Sequence, residues 1–280
     1  MLGSLYVAVL LATALSLPIK QEEDINEGYQ LVCPKDKKGC YVIGHQEISE
    51  DKLFEGDVIP FDVGDGGDES RNALINMKRR WPKNTVPYVF HAEFSAKSKE
   101  LIIKSMRFIE SKTCIKFEEF DPELGHTHIL FITNDRGCRA TTGFERRQKM
   151  HLLNLNEAGC INMLRVGKIH HEMLHVLGLK HEHSRPDRDE YVTIVKKNIS
   201  PEKMHNFIKA NPKEYTTYGV PYNYLSVMHY PSVAFSIDNK SPTIVPKNNV
   251  DHTLLGQRKK AADSDLEKIN IMYKCPKEEN

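Results

Sequence analysis

The sequence predicts an α+β fold in which strands and helices share the first part of a packed domain and loops dominate the rest. Three observations predict it. Between residues 85 and 155, short runs rich in β-branched and aromatic side chains recur between polar connectors, as strands do. Two stretches set apolar residues three and four apart, the spacing of a buried helix face. Beyond residue 181 the chain is irregular and rich in Pro, Asn and Tyr until a last helical stretch near the C-terminus.

Taken in order, the first element is an apolar run at 5–17 (LYVAVLLATALSL). It is too short to span a bilayer comfortably and suits the core of a secretory signal peptide. Ala14 and Ser16 supply the small residues for cleavage after Ser16, although no basic residue precedes the run. Residues 1–16 are therefore expected to be a signal peptide and the protein to be secreted. Residues 21–70 are polar and acidic, and GDGGDES at 64–70 reads as a flexible, protease-accessible stretch. The packed domain begins near Trp81. TVPYVF (85–90) reads as a strand, and a helix capped by Ser95 follows, with Ile102, Met106 and Ile109 on one face. IKFEEF (115–120), HILFIT (128–133) and MHLLNL (150–155) read as strands. A helix is expected from about residue 165 to Gly178. Ser264 with Glu267 reads as a capping box for a final helix, DLEKINIMY.

Bulk properties narrow the function classes. Acidic residues outnumber basic ones over 17–71, and the balance reverses over 72–280, so the two parts attract at long range. The basic residues are scattered and not interleaved with aromatics, which argues against nucleic-acid binding. No later stretch is apolar enough for a membrane anchor. Six cysteines behind a signal peptide imply disulfides, and the spacing alone leaves several pairings open.

The chemistry lies in HEMLHVLGLKHE (171–182). His171 and His175 are four residues apart, so on a helix both imidazoles project from one face and can bind one metal ion. Glu172 stands at the edge of that face, within reach of a metal-bound water. A further histidine ten positions after His171 points away if the helix continues. Gly178 permits a left-handed backbone, ends the helix and turns the chain back, so that His181 completes a three-histidine zinc site with an open position. HExxH alone arises by accident; with Gly178 and His181 at fixed offsets the chance expectation falls to on the order of 10⁻⁴ for a chain of this length. In that site zinc acidifies its water, Glu172 accepts the proton as the water attacks a peptide carbonyl, and Glu172 then passes it to the leaving amine.

The run HEMLHVLGLKHEHSRPDRDEYVTIVKKNI, including Arg185, Asp187, Arg188 and Asp189, together with SVMHY (226–230) and FEGD (54–57), resembles the astacin family of zinc endopeptidases, one of the metzincins, made as zymogens. The resemblance covers nearly everything after the signal peptide. It implies two subdomains: an N-terminal twisted mixed sheet with two long helices, one of them the zinc helix, and a loop-rich C-terminal part with a Met-turn and a final helix. It implies that Met228 lies as a floor beneath the histidines and that Tyr230 can bind zinc and stabilise the transition state. Asp57 is implied as a zinc ligand in the precursor, which divides the chain into an inhibitory propeptide at 17–71 and a catalytic domain at 72–280. An activating protease is expected to cut after Arg71, with Lys78-Arg79-Arg80 as the rival site. The new Asn72 ammonium is then expected to meet Glu182, a structural carboxylate. The family pairing implies disulfides Cys114–Cys275 and Cys138–Cys160; Cys33 and Cys40 have no family counterpart and are expected to pair with each other. The chain departs from the family at Arg139, where an aromatic residue is common, and in the basic segment GFERRQKM (143–150), so subsite preference does not carry over.

The expected partners are protein or peptide substrates, added as an extended strand along MHLLNL, and the chain's own propeptide. The competing reading is a secreted pseudoprotease that keeps the fold as a binding protein; the intact ligands, base and tyrosine argue against it. A structural zinc site commonly has four protein ligands and no base beside an open position. There is no GxSxG elbow and no papain-like cysteine motif. Asn198 and Asn239 head glycosylation sequons, each followed by proline.

Overall fold

The computed structural model describes residues 28–276 apart from 35–38, 47, 50, 51, 54, 61–76 and 214. The apolar run at 5–17, the cut after Ser16, the 64–70 stretch, Arg71 and Asn72 lie outside the described residues. The described residues include no helix long and apolar enough to cross a membrane.

Two short strands come first. Tyr29–Val32 (β1) pairs antiparallel with Tyr41–Gly44 (β2). The Cys33–Cys40 disulfide closes this hairpin. It falls in the acidic segment, where the sequence reading expected no strand. Its YQLV and YVIG runs are strand-like, but what they pack against lies far along the chain.

A six-stranded sheet forms the centre. Its strands are Val58–Ile59 (β3), Thr85–Phe90 (β4), Lys116–Glu119 (β5), Ile129–Thr133 (β6), Cys138–Thr141 (β7) and Met150–Leu155 (β8), in the spatial order β3-β7-β8-β6-β4-β5. Strands β5, β4, β6 and β8 run parallel to their neighbours, β7 is antiparallel to β8, and β3 is parallel to β7. Successive side chains of a strand face opposite ways, and both faces of this sheet are buried. Val86, Leu130, Ile132, Leu153 and Leu155 face a core shared with the helices. Val89, Ile129, Phe131, Met150 and Leu152 face a second core shared with Tyr29, Leu31 and Val42 of the hairpin. The acidic segment is thus a structural layer. Each large apolar side chain buried there contributes roughly 1.5–3 kcal/mol.

The opposite face carries Ala96–Glu110 (α1) and, after the short Glu157–Cys160 (α2), Gly167–Val176 (α3). Ser95 caps α1 by accepting from the Ser98 N–H at 3.2 Å, and Ile102, Met106 and Ile109 are fully buried. Phe108 of α1 stacks on His170 of α3 with ring centroids 4.8 Å apart. Past α3 the chain has little regular structure: Val192–Ile194 (β9) pairs with Ile244–Pro246 (β10), and Asp263–Met272 (α4) closes the domain. Cys114–Cys275 ties the end of the chain to the entry of β5, and Cys138–Cys160 ties β7 to α2.

Two expectations need correction. Helix α4 starts before the Ser264 cap. Its Asp265 carboxylate accepts from the Ala262 N–H at 2.9 Å, while the Ser264 hydroxyl accepts from the Asn223 amide. Alanine has no side-chain acceptor, so only half of a capping box exists. Second, MHLLNL offers no edge to a substrate, because β8 lies between β6 and β7 with ladders on both sides. A buried interior strand and an edge strand read alike when both are apolar.

Candidate metal centre

Helix α3 begins on Gly167, and Gly178 turns the chain two residues past its end. A Cβ at Gly167 would meet backbone atoms of Arg258 at 2.4–2.8 Å, so the crossing chain demands glycine at the first turn. At the other end Gly178 has φ +108. The Leu179 N–H returns to the Leu174 carbonyl at 2.9 Å and the Gly178 N–H to His175 at 2.8 Å. This left-handed cap turns the chain back and brings His181 under the helix.

The three imidazoles converge. His181 Nε2 lies 3.3 Å from Nε2 of His171 and 3.3 Å from that of His175. Each ring spends its other nitrogen on an acceptor: His171 Nδ1 on the Val227 carbonyl at 2.7 Å, His175 Nδ1 on the Leu179 carbonyl at 2.8 Å, and His181 Nδ1 on the Glu55 carboxylate at 2.7 Å. With each Nδ1 so engaged, the three Nε2 atoms face one another, which is the outer arrangement of a metal-binding histidine set. Burial works against a charge on His181, but Asp57 and Glu55 outweigh it and raise that ring to about 10, so a metal ion displaces its proton. Burial lowers His175 to about 3 and His171 to about 4, keeping both rings neutral, the state that ligates.

Asp57 enters the same space. Its Oδ2 is 3.1 Å from His171 Nε2 and its Oδ1 is 3.2 Å from His181 Nε2. The four ligand atoms lie within 4.8 Å of one another. Desolvation works against the charge on Asp57, but His181 and His171 outweigh it and hold the carboxyl well below its usual range. Glu172 faces the opposite pressure: burial and the Asp57 charge push it well above the ordinary carboxylate range. Asp57 Oδ1 and Glu172 Oε2 are both buried without a hydrogen-bond partner. Inward lone pairs and orphaned carboxylate oxygens around one point suit a divalent cation, and three nitrogens with one oxygen suit zinc.

The floor and walls come from the second half of the chain. Met228 is buried, and its carbonyl accepts from the Glu182 N–H at 3.0 Å. Tyr230 packs 4.5 Å from the His181 ring, and its hydroxyl donates to the Glu55 carbonyl. Glu182 is wholly buried; Lys268 donates to one oxygen, and Arg185 at 3.0 Å and the Asn223 N–H at 3.1 Å to the other. His229 bonds to Tyr222 and stays out of the ligand set. Asn198 spends its amide on the Pro242 carbonyl at 2.7 Å, whereas Asn239 is exposed.

Arg258 and Asp265 carried no sequence signal, and FEGD pointed to Asp57 without assigning roles to Glu55 and Gly56. Glu55 anchors both His181 and Tyr230 from the segment before the domain. Gly56 beside it has φ +79, and a Cβ there would come within 2.6 Å of Phe235. Arg258 donates to the Val227 and His229 carbonyls at 3.0 and 3.1 Å and so holds the turn that holds His171. Asp265 accepts from the Ser226 hydroxyl at 2.5 Å and the Val227 N–H at 2.9 Å. Each acts through a contact set by tertiary folding. The segment that delivers Asp57 continues as β3 along the sheet edge: Val58 pairs with Ala140, Ile59 with Thr141, and the Ala140 N–H reaches the Asp57 carbonyl at 3.0 Å.

A helix presenting two imidazoles, with the third returned by a glycine cap above a methionine turn, is the frame of a metzincin-type zinc metalloendopeptidase. The family model described as Astacin (Peptidase family M12A) matches residues 73–274. The chain belongs to the astacin family. It is 37% identical over 206 residues to zinc metalloproteinase nas-4 of Caenorhabditis elegans, covering 74% of this chain and 62% of that protein. It is 34% identical over 270 residues to meprin A subunit beta of Mus musculus, covering 96% of this chain and 35% of that one. Among solved structures it is similar to high choriolytic enzyme 1, a hatching-enzyme zinc protease from Oryzias latipes, with TM-score 0.62 and 33% identity over 70% of this chain and 94% of the other. The chain thus spans less than two thirds of the length of these two curated relatives.

Proposed function

We propose that the chain is the latent precursor of a secreted zinc endopeptidase, held inactive by Asp57. The observation that carries this reading is the seating of the Asp57 carboxylate among the three Nε2 atoms, where it fills the position a reacting group needs. The assignment has residues 1–16 as signal peptide, 17–71 as propeptide and 72–280 as catalytic domain. The match to meprin A subunit beta supports it, because 96% coverage takes in the segment before residue 73.

His171, His175 and His181 hold the ion, with Tyr230 as a further ligand or oxyanion donor once Glu55 withdraws. Zinc supplies a Lewis acid there, which acidifies a water and polarises the scissile carbonyl. Glu172 takes the proton from the attacking water and delivers it to the departing amine nitrogen. The Tyr230 hydroxyl, freed from the Glu55 carbonyl, donates to the carbonyl oxygen as it gains charge. Substrate lies as a strand along β7, the edge that β3 covers in the precursor.

Activation by a protease cutting after Arg71 suits this arrangement better than a cut in Lys78-Arg79-Arg80, since Arg79 is buried and pairs with Glu145 at 2.7 Å. The released Asn72 ammonium then competes with Lys268 for Glu182. The test is hydrolysis of an unfolded protein before and after trimming at Arg71. Activity is expected only after trimming, abolished by a chelator and restored by zinc. A folded, trimmed, zinc-loaded chain without activity on any unfolded substrate would overturn the reading.

A further inference from the structure

We propose that His45, His91 and Glu93 form a second zinc site, which fastens the hairpin segment to the catalytic domain. His45 follows β2, before the family match begins; His91 and Glu93 follow β4, inside it. One ligand atom from each lies within 4.8 Å of the others. His45 Nε2 is 3.5 Å and His91 Nδ1 is 3.9 Å from the same oxygen, Glu93 Oε2. Tetrahedral zinc with bonds of about 2.0–2.2 Å sets ligand atoms about 3.3 Å apart. His45 and Glu93 are more than half exposed and can close the remaining gap.

His45 Nδ1 donates to Asp135 Oδ1 at 2.8 Å, and the Tyr29 hydroxyl secures the other oxygen of Asp135. His91 Nε2 donates to the Gly44 carbonyl at 2.8 Å. Those bonds leave His45 Nε2 and His91 Nδ1 facing the same carboxylate oxygen. The Asp135 carboxylate raises the His45 pKa, so zinc binding there displaces a proton. The Glu93 N–H donates to His91 Nδ1 at 3.3 Å, a long hydrogen bond that zinc displaces on binding. A cation between these atoms balances the Glu93 charge, and zinc can take the place of the His45 proton. The carboxylate and the carbonyl behind the two rings are the partners that metal-ligating histidines commonly have. Two imidazoles, one carboxylate and an open fourth position towards solvent match zinc and not calcium or magnesium, which prefer oxygen sets.

The site exists only while His45 is docked. Zinc at this point therefore strengthens the seating of the segment, and removing that segment dismantles the site. This does not depend on the catalytic reading, because the metal count is measured without substrate. The experiment is metal analysis of the full-length chain after dialysis against micromolar zinc. Two zinc ions per chain are expected for the native sequence, and one each for His45→Ala, Glu93→Ala and the chain trimmed at Arg71. Trimmed Glu93→Ala is expected to keep kcat/KM within about two-fold of the trimmed native chain, since Glu93 lies outside the catalytic set. A native chain that carries one zinc, or a His45→Ala chain that still carries two, overturns the proposal. A circular dichroism melt of each variant separates loss of metal from loss of fold.

Discussion

Lys268 and Glu182 form an ion pair in the interior of the uncut chain, with side chains only 3% and 0% exposed. Glu182 directly follows the third histidine, so this pair and its Arg185 partner hold the chain beneath the metal centre. The carboxylate is neutralised before any new N-terminus exists. Removing one partner of a buried pair strands the other, which typically costs about 3–5 kcal/mol. Lys268→Met is therefore expected to lower the unfolding free energy of the precursor by about that much in a denaturant titration. A change under 1 kcal/mol would show that Arg185 suffices alone.

Asp57 is reached through an unusual backbone. Glu55 and Gly56 both have positive φ, and Gly56 sits against Phe235 and Tyr230. Asp57→Ala removes the carboxylate from the metal position, and Gly56→Ala forces it away. Both variants are expected to hydrolyse an unfolded protein before trimming at Arg71, whereas the native untrimmed chain is expected to be inactive. Continued latency in both would place the inhibition in β3 and the hairpin instead.

Glu172 stands beside the histidines with one oxygen unpartnered. Glu172→Ala is expected to retain zinc and fold but to lose at least about 10²-fold in kcat/KM after trimming, the range for a general base. Zinc content measured alongside activity distinguishes a lost base from a lost metal.

The hairpin covers Val89, Phe131 and Leu152 on one face of the sheet. Trimming at Arg71 lets that layer leave and exposes an apolar surface. The trimmed domain is expected to melt below the precursor and to bind more of a hydrophobic dye. Equal melting temperatures would mean that the hairpin stays bound after the cut.

Arg258 shares the Val227 carbonyl with His171. Arg258→Met leaves that carbonyl to His171 alone and loosens the turn beneath the metal. Zinc affinity is expected to fall 10–100-fold, the usual effect of losing an outer partner, as read by competition with a chromophoric chelator.

The sequence by itself determined the elements whose signals are local. The helix at Ala96–Glu110 announces itself by Ser95 and by the spacing of Ile102, Met106 and Ile109. TVPYVF and MHLLNL match β4 and β8 residue for residue. The His171, His175 and Gly178 spacing places two imidazoles on one face and a left-handed turn after them, because helix geometry relates those positions directly. Whatever depends on groups far apart in the chain was decided only by the tertiary structure. Nothing in MHLLNL says that β7 lies outside it, since the order of strands in a sheet follows from the packing of the whole layer. YQLV and YVIG are apolar enough to pair as strands, but nothing in them says what they cover; they lie on the sheet because Phe131 and Val89 need a partner. Arg258 and Lys268 are charged residues in ordinary surroundings along the chain, and FEGD marks Asp57 without saying what Glu55 does. They matter because folding removes them from water beside His181, Val227 and Glu182, where a buried charge or carbonyl must find its partner.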